Sequence, residues 1–185
     1  MWLKSWLIKR KQKYNDLCFI KQLKDRNISL IYPFVISKRE NLVISDNVYI
    51  GPNAWIILRA NGKLRIDEGC IIGPRLKCLV ANHNYEDNML PYSSEYIVKD
   101  IWIEKNVWIG TDVTILPGVH IGEGAIIGAC AVVTNNIPPC AIAAGNPCQV
   151  IKYRDKEKYL ECKDSGKIYM KTKNDGHSYK HIIKY

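Results

Sequence analysis

The feature that most restricts this chain is a period of six. Between residues 103 and 133 an aliphatic residue recurs as Ile103, Ile109, Ile115, Ile121, Ile127 and Val133. Four positions after each stands a small or branched residue: Val107, Val113, Val119, Ala125, Ala131 and Ile137. Gly follows the aliphatic residue three times, as Gly110, Gly122 and Gly128. Earlier copies run through Ile44, Ile50 and Ile56, then Ile66, Ile72 and Cys78. An amphipathic helix repeats near 3.6 residues and a strand near 2, so neither accounts for a sustained six.

A triangular solenoid does. Each unit supplies one short strand and one corner, and three units close a coil. The aliphatic residue fills the interior, and the smaller one sits inward near the corner, where space is short. Corners need positive φ, which Gly, Asn and Asp tolerate. Coils stack in parallel at strand spacing, roughly 4.8 Å. The fold expected is therefore mainly β: a parallel β-helix of four to five coils over residues 31–150, with an ejected loop at 79–100. Residues 1–30 are expected to form a helical cap, and 151–185 a C-terminal extension. The period does not fix the handedness, and general chirality rules favour right-handed crossovers.

Charge and cysteines narrow the setting. The net charge of +9 comes largely from the two ends, residues 1–26 and 151–185, outside the patterned centre. No zinc-finger or RNA-binding sheet signature accompanies it, so no nucleic-acid partner is expected. No run approaches the roughly 18 apolar residues of a membrane-spanning helix. The first residues lack the apolar stretch and cleavage site of a secretory signal. Seven cysteines, an odd number without a C-x-x-C pair, fit reduced thiols in a cytoplasmic protein. Trp2, Leu3, Trp6 and Leu7, interleaved with Lys4, Lys9, Arg10 and Lys11, allow two readings. They fit a capping helix packed on the first coil, or a basic helix making weak peripheral membrane contact through residues 1–13.

The longest break in the repeat is a telling one. Between Cys78 and Ile103 lies LVANHNYEDNMLPYSSEYIVKDIW, too polar for another coil. Loops ejected from a rigid scaffold commonly carry binding and catalytic groups. This one holds His83 between Asn82 and Asn84. An imidazole, with an ordinary pKa near 6.5, can take a proton from a weak oxygen nucleophile at neutral pH.

The stretches ANHNY and KNVWIGTDVTILPGVHIGEGAIIGACAVVTNNIPPCAIAAGNPCQVIK resemble the hexapeptide-repeat acyltransferases, in particular sugar O-acetyltransferases of the galactoside and maltose type. The resemblance is specific over residues 80–152 and looser over 42–78. It implies a left-handed β-helix, acetyl-CoA as co-substrate, no metal, a sugar or glycan acceptor, and a homotrimer with each site between two copies. It implies His83 as general base, and Glu95 falls where the family often has a Glu that would fix the imidazole. Trp108, Thr111, Ala129, Thr134, Pro147 and Lys152 match donor-site positions. Asn135 stands in that site where many relatives carry Lys, and Gln149 where they commonly carry Arg. Asn53 and Asn82 are candidates for contact with the acceptor, Asn53 equally a plain corner residue.

The function expected is acetyl-CoA-dependent O-acetylation of a sugar or polysaccharide precursor by direct transfer. N-acetylation of an amino sugar or an antibiotic stays open, as does a non-catalytic binding solenoid, because fold and donor site are shared across acceptors. A γ-type carbonic anhydrase would need three His. His83 and His120 have a suggestive separation, but Ala125 occupies the third ligand position. His177 and His181 are helix-spaced in the tail, without Cys or acidic companions in a metal pattern.

Overall fold

The computed structural model describes residues 2–173, with side chains from residue 6 onward. His177, His181 and the side chains of Trp2, Leu3 and Lys4 lie outside the described residues. Helix α1 (Trp2–Leu23) leads into a prism of three parallel sheets that the chain visits in turn.

Face one stacks Ser29–Leu30, Tyr49–Ile50, Ile71–Ile72, Trp108–Ile109, Ile126–Ile127 and Ala141–Ala144. Face two stacks Phe34–Ile36, Ala54–Ile57, Lys77–Leu79, Thr114–Ile115 and Val132–Val133. Face three stacks Leu42–Ile44, Leu64–Ile66, Ile101–Ile103 and His120–Ile121, and a bridge from Ile121 to Ile137 continues it. These make five coils and the start of a sixth.

The interior is what the period requires. Ile50, Ile72, Ile109 and Ile127 point inward from face one, Ile56, Cys78, Ile115 and Val133 from face two, and Ile44, Ile66, Ile103 and Ile121 from face three. Each buried Ile contributes roughly 1.5–3 kcal/mol. All seven cysteine thiols are free. Cys70 and Cys78 are core residues, and burial pushes the Cys70 thiol up to about 12 and the Cys78 thiol higher still.

The corners hold the backbone strain. Asn53, Arg75, Asp112 and Cys130 have φ of 58 to 61° along the corner between faces one and two. A non-glycine residue in this region costs roughly 1–2 kcal/mol. Hydrogen bonds along the axis offset it: Arg75 N–H donates to Pro52 O, Asp112 N–H to Pro74 O, and Cys130 N–H to Thr111 O, each at 2.9 Å. Gly110 lies in this column, where an added Cβ would come within 2.7 Å of the Ala129 nitrogen.

The ends differ from the coils. The periodic reading begins at Ile44, whereas the first coil begins at Ser29 and buries Leu30, Phe34 and Ile36. Residues 6–15 of α1 are exposed, and the helix packs on the solenoid mainly through Asp16, Phe19, Ile20 and Leu23, with Lys13 over the Tyr32 ring and Asn15 O accepting from Arg39. At the far end Gln149–Tyr153 pairs antiparallel with Ala141–Ala144 and closes face one. Helices α2 (Lys156–Asp164) and α3 (Tyr169–Thr172) then run back along the corner between faces three and one. No described helix is long and apolar enough to cross a membrane.

Candidate active site

The interruption of the third coil is a hairpin rather than a structureless loop. Ala81–His83 pairs antiparallel with Tyr96–Val98, placing Tyr96 directly across from His83. Lys99 N–H closes its base on Val80 O at 2.8 Å. The imidazole stacks on Tyr92, with centroids 3.8 Å apart and planes 24° apart, and lies 4.4 Å from the Tyr96 ring. Arg59 sits over the other ring in turn, 4.4 Å from the centroid of Tyr96. His83 Nδ1 is buried without a hydrogen-bond partner.

Glu95 does not supply that partner. The register gives Tyr96 the position opposite His83, and side chains alternate along a strand, so the neighbouring Glu95 is turned away. Its carboxylate accepts from Asn84 Nδ2 at 3.5 Å, and its carbonyl from Asn84 N–H at 3.1 Å. Asn82 is also occupied locally, its Oδ1 accepting the His83 N–H at 3.0 Å.

The remaining candidates divide between two edges of the prism. Thr111, Ala129 and Pro147 follow the first-face strands of successive coils and so line the corner between faces one and two. Trp108 stands just before that corner on face one, its side chain outward and 54% exposed. The Thr111 hydroxyl donates to Pro74 O at 3.2 Å and accepts from Arg75 Nη2 at 3.1 Å. Arg75 also grips Asp112 with two hydrogen bonds, which hold that carboxyl below its ordinary value. Asn53 occupies the same corner two coils earlier, roughly 10 Å along the axis at strand spacing.

Thr134 and Asn135 follow the second-face strand instead and lie on the next corner, exposed, with Asn135 Nδ2 donating to Thr134 Oγ1 at 3.1 Å. The His83 hairpin leaves the solenoid at that same corner, two coils below. Lys152, in the antiparallel closing strand, pairs with Ile142 on face one. The structure thus gathers His83, Thr134 and Asn135 on one edge and Trp108, Thr111, Ala129 and Pro147 on another. Face two separates them.

Three solved structures share this architecture. A hexapeptide-repeat acetyltransferase of Vibrio cholerae complexed with acetyl coenzyme A is 28% identical, with 69% of each chain covered and a TM-score of 0.62. Galactoside acetyltransferase in complex with coenzyme A is 30% identical over 71% of this chain and 66% of its own, with a TM-score of 0.52. The bacterial transferase hexapeptide family (six repeats) matches residues 100–135. A maltose O-acetyltransferase from Clostridium difficile 630 is 32% identical over 74% of this chain and 73% of its own, with a TM-score of 0.52. This chain belongs to the hexapeptide-repeat acyltransferases.

Within this acyltransferase, the third-face histidine has different neighbours from His83. His120 stacks on Trp102, with centroids 4.5 Å apart and planes 4° apart, and its Nε2 lies 2.8 Å from Glu104 Oε1. Trp102 in turn binds Asp67 through Nε1 at 2.8 Å and carries Arg65 over its ring. This column of outward side chains braces face three. Among the described residues, no group of three His, Cys, Asp or Glu could hold a metal ion.

Two features of the structure are absent from the sequence reading. Tyr92 and Tyr96 pack against the imidazole, and the aromatic and β-branched run YIV was the available signal for a strand there. The second is a cavity beneath α2 and α3 with Trp108 in its wall. No motif announces it.

Proposed function

We propose that this acyltransferase moves an acetyl group from acetyl-CoA to a sugar hydroxyl, with His83 as general base. The observation that carries the proposal is the projection of His83 from the long hairpin that interrupts the solenoid, packed against two tyrosine rings. With Nδ1 buried, Nε2 is the nitrogen that meets the acceptor. It takes the hydroxyl proton as the oxygen attacks the thioester carbonyl. The tetrahedral adduct then collapses, the C–S bond breaks, and the imidazolium returns the proton to the departing CoA sulfur. Such general-base help is typically worth roughly 10²–10⁴ in rate.

The donor reading follows from likeness: the V. cholerae relative is complexed with acetyl-CoA, and the other two are a maltose and a galactoside acetyltransferase. We infer the left-handed sense of the coils from the same family. The division of candidates between two corners supports a homotrimer. The His83 edge of one copy would face the Trp108 and Thr111 edge of another, with the pantetheine arm between them. Glu95 is not assigned a role on the imidazole. Free thiols throughout suit a reducing compartment such as the cytoplasm.

The test is acetyl transfer to a panel of sugars, followed by mass spectrometry, for the native protein and His83→Ala. The proposal expects O-acetylated product and a loss of 10²–10⁴ in kcat in the variant, with acetyl-CoA binding unchanged. Full activity in His83→Ala would remove the histidine from the chemistry. Products acetylated only on amines would replace O-transfer by N-transfer.

A further inference from the structure

The two ends of the solenoid are finished differently. Over the last coils the C-terminal strap, α2 and α3, is fastened along its corner. Tyr159 donates to Glu123 Oε1 at 2.8 Å and accepts from Asn106 Nδ2 at 3.1 Å, and Lys171 pairs with Glu68 at 3.0 Å. At the first coil, α1 commits only one side to the solenoid. Asp16, Phe19, Ile20 and Leu23 face it. At about 100° per residue, Trp6, Leu7, Tyr14 and Leu17 stand on the other side of the helix. All four are exposed, Leu7 at 51% and Tyr14 at 68%.

Single apolar residues on a surface need no explanation, but four along one helix face make a patch. The same face carries Arg10, Lys11 and Lys21, all exposed. The Arg10 guanidinium lies 5.1 Å from the centroid of the Trp6 ring. From Trp6 to Asn15 the sequence WLIKRKQKYN holds four cations and no acid. Asp16, the one carboxylate of the helix, is buried against the solenoid and paired with Arg39. The charge that α1 turns outward is therefore positive throughout.

We propose that this face of α1 docks on an anionic lipid bilayer. Charge complementarity selects the occupant, and the apolar side chains narrow it further. With the helix parallel to the surface, Leu7, Leu17 and the rings of Trp6 and Tyr14 enter at headgroup depth. Arg10, Lys11 and Lys21 extend their stems along the same boundary and meet lipid phosphates. The phosphates of a nucleic acid would satisfy the cations and leave Leu7 and Leu17 in water. A second copy packed on the same face would set like charges against one another. The inference does not depend on the acyl-transfer reading. It gives that chemistry a location, at a bilayer surface within reach of an acceptor carried on a lipid.

Co-sedimentation of the full chain with vesicles tests this, using phosphatidylcholine and phosphatidylglycerol in equal parts, and phosphatidylcholine alone. Binding to the anionic vesicles is expected to be tighter by about tenfold or more, and to weaken as salt is raised. Arg10→Glu with Lys11→Glu should cost about twentyfold or more, since each cation near an anionic surface is worth about fivefold. Leu7→Ala with Tyr14→Ala should cost about tenfold through lost apolar burial. Lys156→Glu with Lys158→Glu, the same charge change on exposed residues of α2, should leave binding unchanged. Hydrogen exchange should slow in residues 6–21 on anionic vesicles, and not in 101–133.

No sedimentation with anionic vesicles overturns the proposal, as does equal binding to neutral ones. Equal losses in the α1 and α2 charge variants would assign binding to net charge alone and overturn it as well. Indifference to Leu7→Ala with Tyr14→Ala would make the face a site for any polyanion, nucleic acid included, and no bilayer site. Protection of residues 6–21 that rises with protein concentration, without vesicles, would give the face to a second copy instead.

Discussion

The central coils and the C-terminal strap are held by opposite means. From Ile101 to Val133 every inward position is apolar and almost wholly excluded from solvent, and the backbone is tied coil to coil in parallel register. Helix α2 buries none of its residues. Its attachment consists of the Tyr159 hydrogen bonds and the Lys163–Glu123 pair, at a half-exposed surface. Apolar burial gives the coils large, non-directional stabilisation, whereas exposed ion pairs are each worth about 0–1 kcal/mol. The comparison teaches that the solenoid is the rigid frame, and that the strap is attached to it by titratable contacts.

Breaking the frame should have the largest effect. Ile115→Ala, at a fully buried position of face two, should cost about 2–5 kcal/mol in chemical denaturation. A loss below 1 kcal/mol would mean the coils do not depend on their central column. Gly124→Ala comes next, because φ there is +71° and the new Cβ meets the Tyr159 ring. About 1–2 kcal/mol of backbone strain is expected, with hydrogen exchange accelerated in residues 156–172 more than in 101–133. Equal acceleration in both would deny that the strap is separately attached.

Tyr159→Phe removes the hydroxyl shared by Asn106 and Glu123 and should cost about 0.5–1.5 kcal/mol, again confined to the strap. Acid should do the same. Burial alone would raise Glu123, but hydrogen bonds from Lys163 and Tyr159 and the charges of Lys163 and Lys105 outweigh it and leave the carboxyl below its ordinary 4.5. A depressed carboxyl contributes stability that is complete above its unfolded pKa and lost as pH falls through the folded value. The strap should therefore loosen below about pH 4.5 while the coils persist, as exchange rates measured from pH 6 to 3 would show. Smallest is Asn135→Lys, which restores a cation on the hairpin's corner. One exposed charge contact is worth about 0.2–1 kcal/mol, a roughly one- to fivefold gain in acetyl-CoA affinity that high salt should erase.

Legibility in the sequence follows the same division. Positions such as Ile103, Ile109 and Ile121 could be assigned inward because a period of six is enforced by every neighbouring coil at once. The first coil lay within the expected solenoid, but its inward residues were not singled out: Leu30, Phe34 and Ile36 keep the hexapeptide spacing, whereas the eight residues from Ile36 to Ile44 break it. His83 stood out by its place in the interruption, but its tyrosine partners depend on a hairpin register no local pattern states. Glu95 was a candidate from the family resemblance, and the hairpin register places Tyr96 rather than Glu95 across from His83. The strap was least legible. Its determining contact, Tyr159 with Asn106 and Glu123, joins residues 53 and 36 positions apart through polar atoms.

The most direct test of the donor site is calorimetric titration of the purified protein with acetyl-CoA, alongside His83→Ala. Saturation near one molecule per chain, with the same affinity in the variant, is the predicted result. No saturable heat at millimolar donor would contradict it: this chain would then have kept the frame of an acetyltransferase without acetyl-CoA as its donor.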